Sequence, residues 1–502
     1  MVSLTNQPIL FGNPAPKQFG ASQRSKLVKR TSNILSMKLE GLLLLFCCLT
    51  FFACKTVPIT QQKTTKQPNI IFIMSDDQGY ADLGCYGSTF VKTPHLDQMA
   101  REGMRFTQVY AGSPVCAPTR CVLLTGKHSG YITRRDNRTT DDIDKPFMKR
   151  KLIPLNPTDY TFGEMMQAAG YKTGAFGKWG LGNPGTTGTP DQQGFDEFYG
   201  YIDQVHAHSY YTDFLMHNTD TLAIPENKNG QRKVYAHDLI ADKALDFIKE
   251  NQANPFFLYL PYTTPHGKYE VPDNSLYANQ PWVEKVKNYA AMISRMDEDI
   301  GDLFALLKKL NLDKNTIVFF TSDHGPNQPF LKDLASNKPF RGIKRQVLEG
   351  GLRVPMIVRW PEKIKAESVS DFVWAFWDVM PTLADLAGIT PPKGMDGISV
   401  LSTLLGQPQQ PHEFLYWEFY SPFQQAVRLD NWKGIRLGTA EPIHLFDLNT
   451  DKKEAHNVAS AYPEIVKKMR FIMEKEHVKN PYWPTVEKAG KNGAKILRET
   501  NR

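Results

Sequence analysis

Short apolar runs alternate with longer amphipathic stretches along most of this 502-residue chain. The apolar runs are rich in β-branched and aromatic residues, which predicts strands that are buried on both faces. The longer stretches repeat their apolar residues with the period of a helix. We predict strands at residues 69–74, 172–176, 255–260, 316–321 and 355–358, and helices at residues 95–102, 161–169, 236–250, 283–309 and 378–387.

Two structural units follow from this order of elements. The alternation of strands and helices over residues 69–410 predicts an α/β fold, a large and mostly parallel sheet sandwiched by helices. After about residue 411 the strands become shorter and turn residues separate them. The elements predicted there are strands at 414–419, 425–428 and 433–436 and a helix at 461–477. Residues 411–487 are therefore expected to form a small C-terminal α+β subdomain of antiparallel strands and one helix, followed by a frayed basic tail at 488–502.

The N-terminus has the pattern of an export signal. A basic stretch precedes residues 41–53, whose sequence GLLLLFCCLTFFA is apolar but too short to span a bilayer comfortably. We predict that residues 1–53 are a signal segment, with Met37 as an alternative start. The sequence FFAC resembles a bacterial lipobox, so Cys54 is expected to carry lipid and anchor the protein in the periplasm or outer membrane; ordinary cleavage with a free Cys54 is the alternative. Residues 54–68 are polar and predict a flexible tether.

The charge of the chain gives no argument for a nucleic-acid partner. The formal net charge is +8, but residues 1–53 contain six basic residues and one acidic residue, so the rest of the chain carries only +3. Of the six cysteines, Cys85, Cys116 and Cys121 follow the tether. Three cysteines do not make a disulfide-dense framework, and the odd count suits a separate role for one of them.

Pairs of ionisable residues follow two of the predicted strands. Asp76 and Asp77 come after the first strand, and Asp323 and His324 come after the fourth. Ligands of open α/β sheets bind at the carboxyl ends of strands, and neighbouring carboxylates repel each other unless a cation is present. The two pairs predict a shared site for a hard divalent cation, calcium or magnesium. His324 keeps zinc or manganese open, and solvated turns remain the alternative.

Cys116 begins the segment CAPTRCVLLTG, in which Pro118 suits the first turn of a helix. The N–H groups at a helix N-terminus favour anions. Arg120, one turn along, points the same way and can bind an oxyanion with two N–H groups. Cys121 has no such neighbours and is predicted to lie in the core. The segment predicts an anion site at Cys116, with a buried structural cysteine beside a surface arginine as the alternative.

The segment CAPTR at residues 116–120, followed by Thr125-Gly126, resembles the signature of the type I sulfatases of the alkaline phosphatase-like superfamily. This signature is also the recognition sequence for the maturation enzyme that oxidises its cysteine to formylglycine. Other stretches resemble sulfatase blocks in the same order: PNIIFIMSDDQGYADLGCYG, GKWGLG, TTPHG, TSDHG and RGIKRQVLEGGLRVP. The resemblance covers about residues 68–460 and implies an enzyme that hydrolyses sulfate monoesters.

The resemblance implies a nucleophile and a metal site. Formylglycine made from Cys116 would be the nucleophile. Together with Asp76, Asp77, Asp323 and His324, it would bind one Ca²⁺.

Four further roles are implied position by position. Arg120 would stabilise the nucleophile and the metal site. Lys178 in GKWGLG and Lys344 in RGIK would bind sulfate oxygens, and His266 in TTPHG would hydrogen-bond the sulfate and the leaving oxygen. The alternatives are a surface lysine at a strand end for Lys178, a basic loop at residues 338–345 for Lys344, and a loop residue for His266. Without the nucleophile motif, these alternatives would be preferred for both lysines.

This chain departs from the family at two positions. Gly180 stands where the family usually has a histidine that hydrogen-bonds the formylglycine and helps to regenerate its aldehyde. We predict His128 as its spatial replacement, because it is expected to lie on the element that carries Cys116 and Arg120. His324 stands where many members have asparagine. Some members have histidine there, so the expected metal remains Ca²⁺.

The segment at residues 201–211, YIDQVHAHSYY, is rich in histidine and tyrosine. Aromatic rings stack on sugar faces, and histidine or arginine contacts hydroxyl or anionic groups. We predict a sugar pocket here, with an aromatic packing segment as an equal alternative. Its candidate residues are Arg134, Arg135, Asn137, His206, His208 and Tyr210. The resemblance to lipid-anchored bacterial sulfatases implies an exo-sulfatase for sulfated polysaccharides, similar to members acting on galactose- or galactosamine-type sulfates.

Two other functions remain open. Some members of the superfamily hydrolyse phosphate or phosphonate esters, and some of these also use formylglycine. A non-catalytic lipoprotein that binds sulfated glycans is the second alternative. The intact Cys-x-Pro-x-Arg motif and the four candidate metal ligands argue against it.

Overall fold

The computed structural model describes residues 67–137, 152–327, 331–480, 482–483, 486–488 and 496–497. The chain divides into residues 1–65 and one compact unit of residues 66–502, and only the second unit is described below. The predicted signal segment, Cys54, nearly all of the tether and most of the basic tail lie outside the described residues. None of the described helices is long and apolar enough to cross a membrane.

A large sheet forms the centre of the described unit. Its strands are β1 (Asn69–Ser75), β2 (Met104–Tyr110), β3 (Lys172–Lys178), β4 (Glu197–Tyr201), β5 (Phe214–His217), β6 (Asp220–Ala223), β7 (Phe256–Pro261), β8 (Thr316–Ser322), β9 (Arg353–Arg359), β10 (Ser368–Ser370) and β11 (Trp374–Ala375). They lie in the order β10-β2-β9-β8-β1-β7-β3-β4-β5-β6, and β11 pairs with β2. The central strands from β8 to β4 are parallel, whereas β9 is antiparallel to both of its neighbours.

Helices cover both faces of this sheet, as the alternating pattern predicts. The described helices, including those outside these two layers, are α1 (Pro94–Arg101), α2 (Cys116–Thr125), α3 (Phe162–Ala168), α4 (Ala236–Glu250), α5 (Glu284–Lys309), α6 (Leu331–Leu334), α7 (Glu349–Leu352), α8 (Val379–Ala387), α9 (Leu401–Leu404) and α10 (Pro463–Lys475). The apolar run of β1 shows why two layers are needed. Ile70 and Phe72 face the core under α2, α3 and α8, whereas Ile71 and Ile73 face the core under α1, α4 and α5. The predicted α/β class is confirmed.

A second, smaller sheet contains β12 (Leu415–Tyr420), β13 (Phe423–Leu429), β14 (Trp432–Arg436) and β15 (His444–Asp447). These four strands are antiparallel and lie in chain order. Met469 and Met473 of α10 pack against one face of this sheet. On the other face, Trp417 joins the main core and donates its indole N–H to the carbonyl oxygen of Ala111 at 2.9 Å. The predicted antiparallel C-terminal part with one helix is confirmed.

A fully buried ionic cluster links the two sheets. Nζ of Lys433, on β14, lies 2.8 Å from Oε1 of Glu349 in α7 and 3.0 Å from Oε1 of Glu454. Arg353, at the start of β9, lies 3.0 Å from Oε2 of Glu349. Burial acts to raise the pKa of Glu349, but Lys433 and Arg353 outweigh it and lower the pKa to about 2. Burial raises the pKa of Glu454 to about 7. Lys433 therefore pairs with two carboxyl groups that have no access to water.

Candidate active site

Four neighbouring parallel strands, β8, β1, β7 and β3, bring polar residues to one edge of the large sheet. Because parallel strands point the same way, their carboxyl ends share an edge, and this is where ligands bind in open α/β sheets. The residues there are Asp76 and Asp77 after β1, His266 after β7, Lys178 at the end of β3, and Asp323 and His324 after β8.

Backbone N–H groups of the turn after β1 hold it to the segments that follow β7 and β8. The N–H of Asp76 donates to the carbonyl oxygen of Thr264 at 3.0 Å, and the N–H of Asp77 donates to Oδ1 of Asp323 at 3.0 Å. Asp77 has a φ of +64°, a left-handed conformation that residues other than glycine rarely adopt. Such strained residues persist only where many contacts hold them. These contacts place three buried carboxylates around one space.

Cys116 is the first residue of α2, and its side chain lies against the same carboxylates. Its Sγ is 3.4 Å from Oδ1 of Asp76, 3.3 Å from Nε2 of His324 and 3.6 Å from Nζ of Lys344. Burial, and then the Asp76 carboxylate, raises the pKa of the Cys116 thiol to about 12. An unmodified thiol at this position is a weak nucleophile at neutral pH, because only the thiolate attacks.

Arg120 and Lys178 hold the inner carboxylates. Arg120 lies one turn into α2, and its guanidinium is 3.2 Å from Oδ2 of Asp76 and 3.6 Å from Oδ2 of Asp323. Nζ of Lys178 is 2.6 Å from Oδ2 of Asp76. Burial acts to raise the pKa of Asp76, but Lys178, His266 and Arg120 outweigh it, and that pKa lies well below its usual value. The pKa of Asp323 is raised, first by burial and then by Asp76.

Lys344 and His266 form the outer side of the cluster. Nζ of Lys344 lies 2.5 Å from Oδ1 of Asp77 and 3.1 Å from Nε2 of His266. Nδ1 of His266 faces the carbonyl oxygen of Gly267 at 3.0 Å, so the ring proton is assigned to Nδ1. Nε2 then accepts a hydrogen bond from the Lys344 ammonium. Burial holds the pKa of His266 well below its usual value. Burial acts to lower the pKa of Lys344, but Asp77 and Cys116 outweigh it and raise it. The result is a neutral imidazole beside an ammonium.

Buried acceptor atoms without hydrogen-bond partners face the centre of the cluster. Among the described residues, none donates a hydrogen bond to Oδ2 of Asp77 or to Oδ2 of Asp323. Nδ1 of His324 donates to the carbonyl oxygen of Gly325 at 2.9 Å, which leaves Nε2 as an acceptor that faces Sγ of Cys116. Two overlapping sets have donor atoms within 4.8 Å of one another: Asp76, Asp77, Cys116 and His266, and Asp76, Cys116, Asp323 and His324. This donor set fits a bound cation.

His128 lies away from this cluster, contrary to the prediction. It follows the C-terminal end of α2, and ten helical residues place that end about 15 Å from the end that carries Cys116. Nε2 of His128 lies 3.2 Å from Oε2 of Glu476, and Nδ1 accepts the N–H of Gly130 at 3.1 Å. The prediction was wrong because it used proximity in sequence, whereas a helix separates its two ends.

A different imidazole, that of His208, lies beside the cluster. Its ring centroid is 4.4 Å from that of His266. Burial, and then Lys178 and Lys344, lowers the pKa of His208 to about 4. Of the six candidate sugar contacts, His208 is the one that lines the cavity over the cluster.

The other five candidates have structural contacts instead. Asn137 accepts the N–H of Ala117 at 2.9 Å and so caps the start of α2. Arg134 is buried and donates to the carbonyl oxygens of Ile153 and Asn137. Arg135 is buried in an ion pair with Glu418 at 2.8 Å. His206 stacks on Phe214 with ring centroids 4.3 Å apart, and Tyr210 is fully buried. The alternative of an aromatic packing segment describes most of this stretch.

Tyr210 positions the turn that carries His266. Its hydroxyl lies 2.7 Å from the carbonyl oxygen of Thr263 and 2.8 Å from that of His266. A Tyr210→Phe variant is expected to lower kcat about tenfold with little change in KM, because small displacements of a catalytic group are costly. The loss of a buried hydroxyl should also cost about 1–2 kcal/mol of unfolding free energy.

Tyr235→Phe is the matched control for this measurement. Tyr235 stacks on Tyr210 with ring centroids 5.4 Å apart, but its hydroxyl donates to Glu270 rather than to the His266 turn. The Tyr235→Phe variant should lose about as much unfolding free energy as Tyr210→Phe. Its kcat should stay near the native value. Equal losses of kcat in both variants would show that Tyr210 acts only through general packing.

The structure explains why residue 180 is a glycine in this chain. Its φ is +84°, and a Cβ built there would lie 1.9 Å from Nε2 of Gln204. Gln204 is buried, so its amide fills the space that a side chain at position 180 would need. A histidine at this position requires both a strained backbone and the displacement of Gln204.

The cavity over the cluster contains residues that the sequence analysis missed. Its volume is about 870 Å³, and Asp77, His208, His266 and Lys344 form its inner wall. The additional lining residues are Gly267, Lys268, Tyr269, Lys285, Asn288, Asn327 and Arg345. The proximity of Lys268 to His266 and of Arg345 to Lys344 was a signal in the sequence. Lys285 comes from a distant helix and had none.

Two family models match the chain, and curated relatives are similar to it. Residues 68–389 match the model described as Sulfatase, and residues 342–479 match N-sulphoglucosamine sulphohydrolase, C-terminal. An N-acetylgalactosamine-6-sulfatase of Canis lupus familiaris is 33% identical over 394 residues, which cover 73% of this chain and 71% of the relative. An N-acetylgalactosamine-6-O-sulfatase of Bacteroides thetaiotaomicron is 29% identical over 529 residues, which cover 89% of this chain and 99% of the relative.

Solved structures show the same similarity. The crystal structure of Ps i-CgsB in complex with k-i-k-neocarrahexaose has a TM-score of 0.73 and 27% identity, covering 87% of this chain and 98% of its own. A phosphonate monoester hydrolase of Agrobacterium radiobacter, at 18% identity and a TM-score of 0.59, shares the fold. The resemblance seen in the sequence is confirmed: the chain belongs to the sulfatase family and is a sulfuric ester hydrolase.

Proposed function

We propose that this sulfatase removes sulfate from sugars of sulfated glycans, using formylglycine made from Cys116 and one Ca²⁺ held by the neighbouring carboxylates. The observation that carries the proposal is the buried contact of Cys116 with Asp76, His324 and Lys344. Formylglycine would supply a hydrated aldehyde as oxygen nucleophile, which a buried thiol with a pKa of about 12 does not replace.

The cations of the site suit the charge of a sulfate monoester. Lys178 and Lys344 are proposed to bind sulfate oxygens, because their ammonium groups already lie at the carboxylates that surround residue 116. Arg120 is proposed to hold the nucleophile end of α2 in place through Asp76 and the carbonyl oxygen of Lys178, to which it donates at 2.7 Å. Fixed positive charges in a buried site stabilise the negative charge that develops in the transition state.

His266 is proposed to assist departure of the alcohol. Its Nε2 lies at the cavity wall and accepts a hydrogen bond from the Lys344 ammonium at 3.1 Å. This pair holds a proton next to the position of the leaving oxygen, as general acid catalysis requires. The neighbouring His208, rather than His128, is the second imidazole available for proton transfer near residue 116.

Sulfated galactose- or galactosamine-type sugars are the proposed substrates. The support is that two relatives are named as N-acetylgalactosamine-6-sulfatases and that a similar structure holds a neocarrahexaose. The cavity of about 870 Å³ is large enough for a sugar ring together with its sulfate. The exo-acting mode stays a prediction.

Export, a lipid anchor on Cys54 and maturation by a formylglycine-generating enzyme are also proposals. The support for export is the apolar segment at residues 41–53, and the support for maturation is the CAPTR segment.

Removal of the metal is expected to lower stability as well as activity. Asp76, Asp77, Asp323 and His324, with residue 116, are the proposed ligands, and bound Ca²⁺ would supply positive charge to the sulfate oxygens. A ligand at 100 times its Kd stabilises the folded state by about 2.7 kcal/mol. A chelator should therefore lower the Tm, and added Ca²⁺ should restore it.

An Asp323→Asn variant serves as the control for this titration, because its Tm should respond little to Ca²⁺. Mg²⁺, Mn²⁺ and Zn²⁺ are tested in parallel. A native Tm that ignores the chelator, or that Zn²⁺ alone restores, would contradict a calcium site.

Mass spectrometry and a paired assay test the proposed function. The protein is produced with a competent maturation system, and the peptide that contains residue 116 should show the mass lost when a thiol becomes an aldehyde. The same sample should hydrolyse an aryl sulfate much faster than an aryl phosphate or phosphonate. An unmodified Cys116 in active enzyme would contradict the formylglycine mechanism. Preferential phosphate hydrolysis would favour the alternative of a phosphate or phosphonate ester hydrolase.

A further inference from the structure

Three basic side chains line the outer part of the cavity, beyond the proposed sulfate site. They are Lys268, Lys285 and Arg345, called the basic rim below. The proposed chemistry at residue 116 uses none of them. They come from three separate segments: the turn after β7, the first turn of α5 and the loop that carries Lys344. Their convergence is therefore a property of the fold rather than a run of charge in the sequence.

The basic rim has no acidic counterpart in the part of the chain that the structure describes. Its side chains are exposed, and none of the ion pairs among the described residues includes Lys268, Lys285 or Arg345. The only carboxylate among the described lining residues is Asp77, which already pairs with Lys344 at 2.5 Å. The rim therefore presents positive charge to whatever enters the cavity.

Two members of the basic rim are held at the cavity wall. Nζ of Lys285 lies 4.8 Å from the ring centroid of the buried Tyr269, a cation–π contact that limits its freedom. Arg345 has a φ of +71°, and its N–H donates to the carbonyl oxygen of Pro114 at 2.7 Å. The residue before it is Lys344, the proposed sulfate contact. The same stretch of backbone therefore positions both Lys344 and Arg345.

We infer that the basic rim binds a second anionic group of the substrate, so that the preferred substrate is a sugar that carries another sulfate or a carboxylate near the sulfate that is removed. This inference rests on the proposed function and narrows its substrate class. Ligand cavities span about 300–1,000 Å³, and this one lies near the upper end, with room for more than one sulfated ring position. The positive rim at the entrance would also attract polyanionic chains from solution.

The test compares kcat/KM for three probes: galactose 6-sulfate, galactose 4,6-disulfate, and a 6-sulfated galactosamine joined to a glucuronate. The native enzyme should prefer at least one of the two dianionic probes over galactose 6-sulfate. Exposed ion pairs are individually weak, but three of them would act on the same anionic group. A K268Q/K285Q/R345Q triple variant should therefore reduce this preference about tenfold. The probe that loses most identifies the second group as sulfate or carboxylate.

Lys309→Gln is the matched control. Lys309 is an exposed lysine at the other end of α5, about 36 Å from Lys285 by helical rise. The Lys309→Gln variant removes one positive charge from α5, as the K285Q change within the triple variant does. It should keep the native preference. Raising the salt concentration should weaken the preference of the native enzyme more than that of the triple variant.

The outcomes separate the inference from the proposed function. Sulfate release with no preference for the dianionic probes, or with a preference that the triple variant and Lys309→Gln keep equally, overturns the inference alone. No sulfate release from any probe by matured native enzyme overturns the proposed function and, with it, the inference. A preference lost in the triple variant and kept in the Lys309→Gln variant supports the basic rim.

Discussion

A Cys116→Ala enzyme is expected to lose its sulfatase activity while it remains folded. The variant removes the proposed nucleophile, and loss of a covalent nucleophile lowers kcat by on the order of 10⁴-fold or more. Cys116 is buried at the first residue of α2, where alanine fits without new contacts. Steady-state hydrolysis of an aryl sulfate and a thermal unfolding curve, measured on the same preparation, check both halves of this expectation.

Cys121 provides the matched control on the same helix. It is also fully buried, but it belongs to the hydrophobic core rather than to the carboxylate cluster. Burial raises its pKa to about 12, as it does for Cys116, so burial and pKa do not distinguish the two thiols. A Cys121→Ala variant should cost about 1 kcal/mol of stability and keep its activity. Comparable inactivity of both variants would mean that neither thiol has a special role.

A Lys433→Met variant is expected to destabilise the folded protein by about 3–5 kcal/mol. It leaves the carboxylates of Glu349 and Glu454 buried without the ammonium that lies 2.8 and 3.0 Å from them. Because the folded-state pKa of Glu349 is lowered to about 2, its ion pairs stabilise the native protein above its unfolded pKa. That contribution is lost as the pH falls from about 4.5 towards 2. Denaturant unfolding at several pH values measures both effects.

Lys314 offers the same side-chain pair at the surface. Its Nζ lies 2.5 Å from Oε1 of Glu362, and both side chains are well exposed. Exposed pairs contribute little, so Lys314→Met should lower the unfolding free energy far less than Lys433→Met does. A Lys433→Met protein no less stable than Lys314→Met would show that the buried cluster is held by packing instead of by charge.

The local pattern predicted the central elements closely. The helix predicted at 236–250 is α4 (Ala236–Glu250), and the first strand, predicted at 69–74, is β1 (Asn69–Ser75). These elements have strong periodicity or uniform burial, which adjacent residues already encode. The strands β2, β4, β5, β6, β10 and β11 of the large sheet were missed, and of these β2 and β4 lie inside the sheet. Short edge strands form mainly because a partner strand pairs with them, and pairing depends on residues distant in sequence.

Strand direction was less predictable than strand position. The sequence predicted a mostly parallel sheet, and β9 is antiparallel to β8. A parallel connection requires a crossover of a dozen or more residues, usually an α-helix. The helices between β8 and β9, α6 and α7, have four residues each and do not cover the sheet as a crossover helix does. The connection therefore contains many residues, but it does not carry the chain back to the edge of the sheet at which β8 begins.

Within the site, sequence motifs identified candidate residues, and only the fold determined the distances between them. The sequence by itself determined the α/β class, the pairs of ionisable residues after β1 and β8, and Cys116 with Arg120 one helical turn away, because these features depend on neighbouring residues. The tertiary structure decided which groups share the cavity. It placed His208 rather than His128 beside the cluster, put the Tyr210 hydroxyl on the His266 turn, and brought Lys285 from α5 to the cavity wall. Such contacts join residues far apart in the chain, and only the packing of complete elements fixes them.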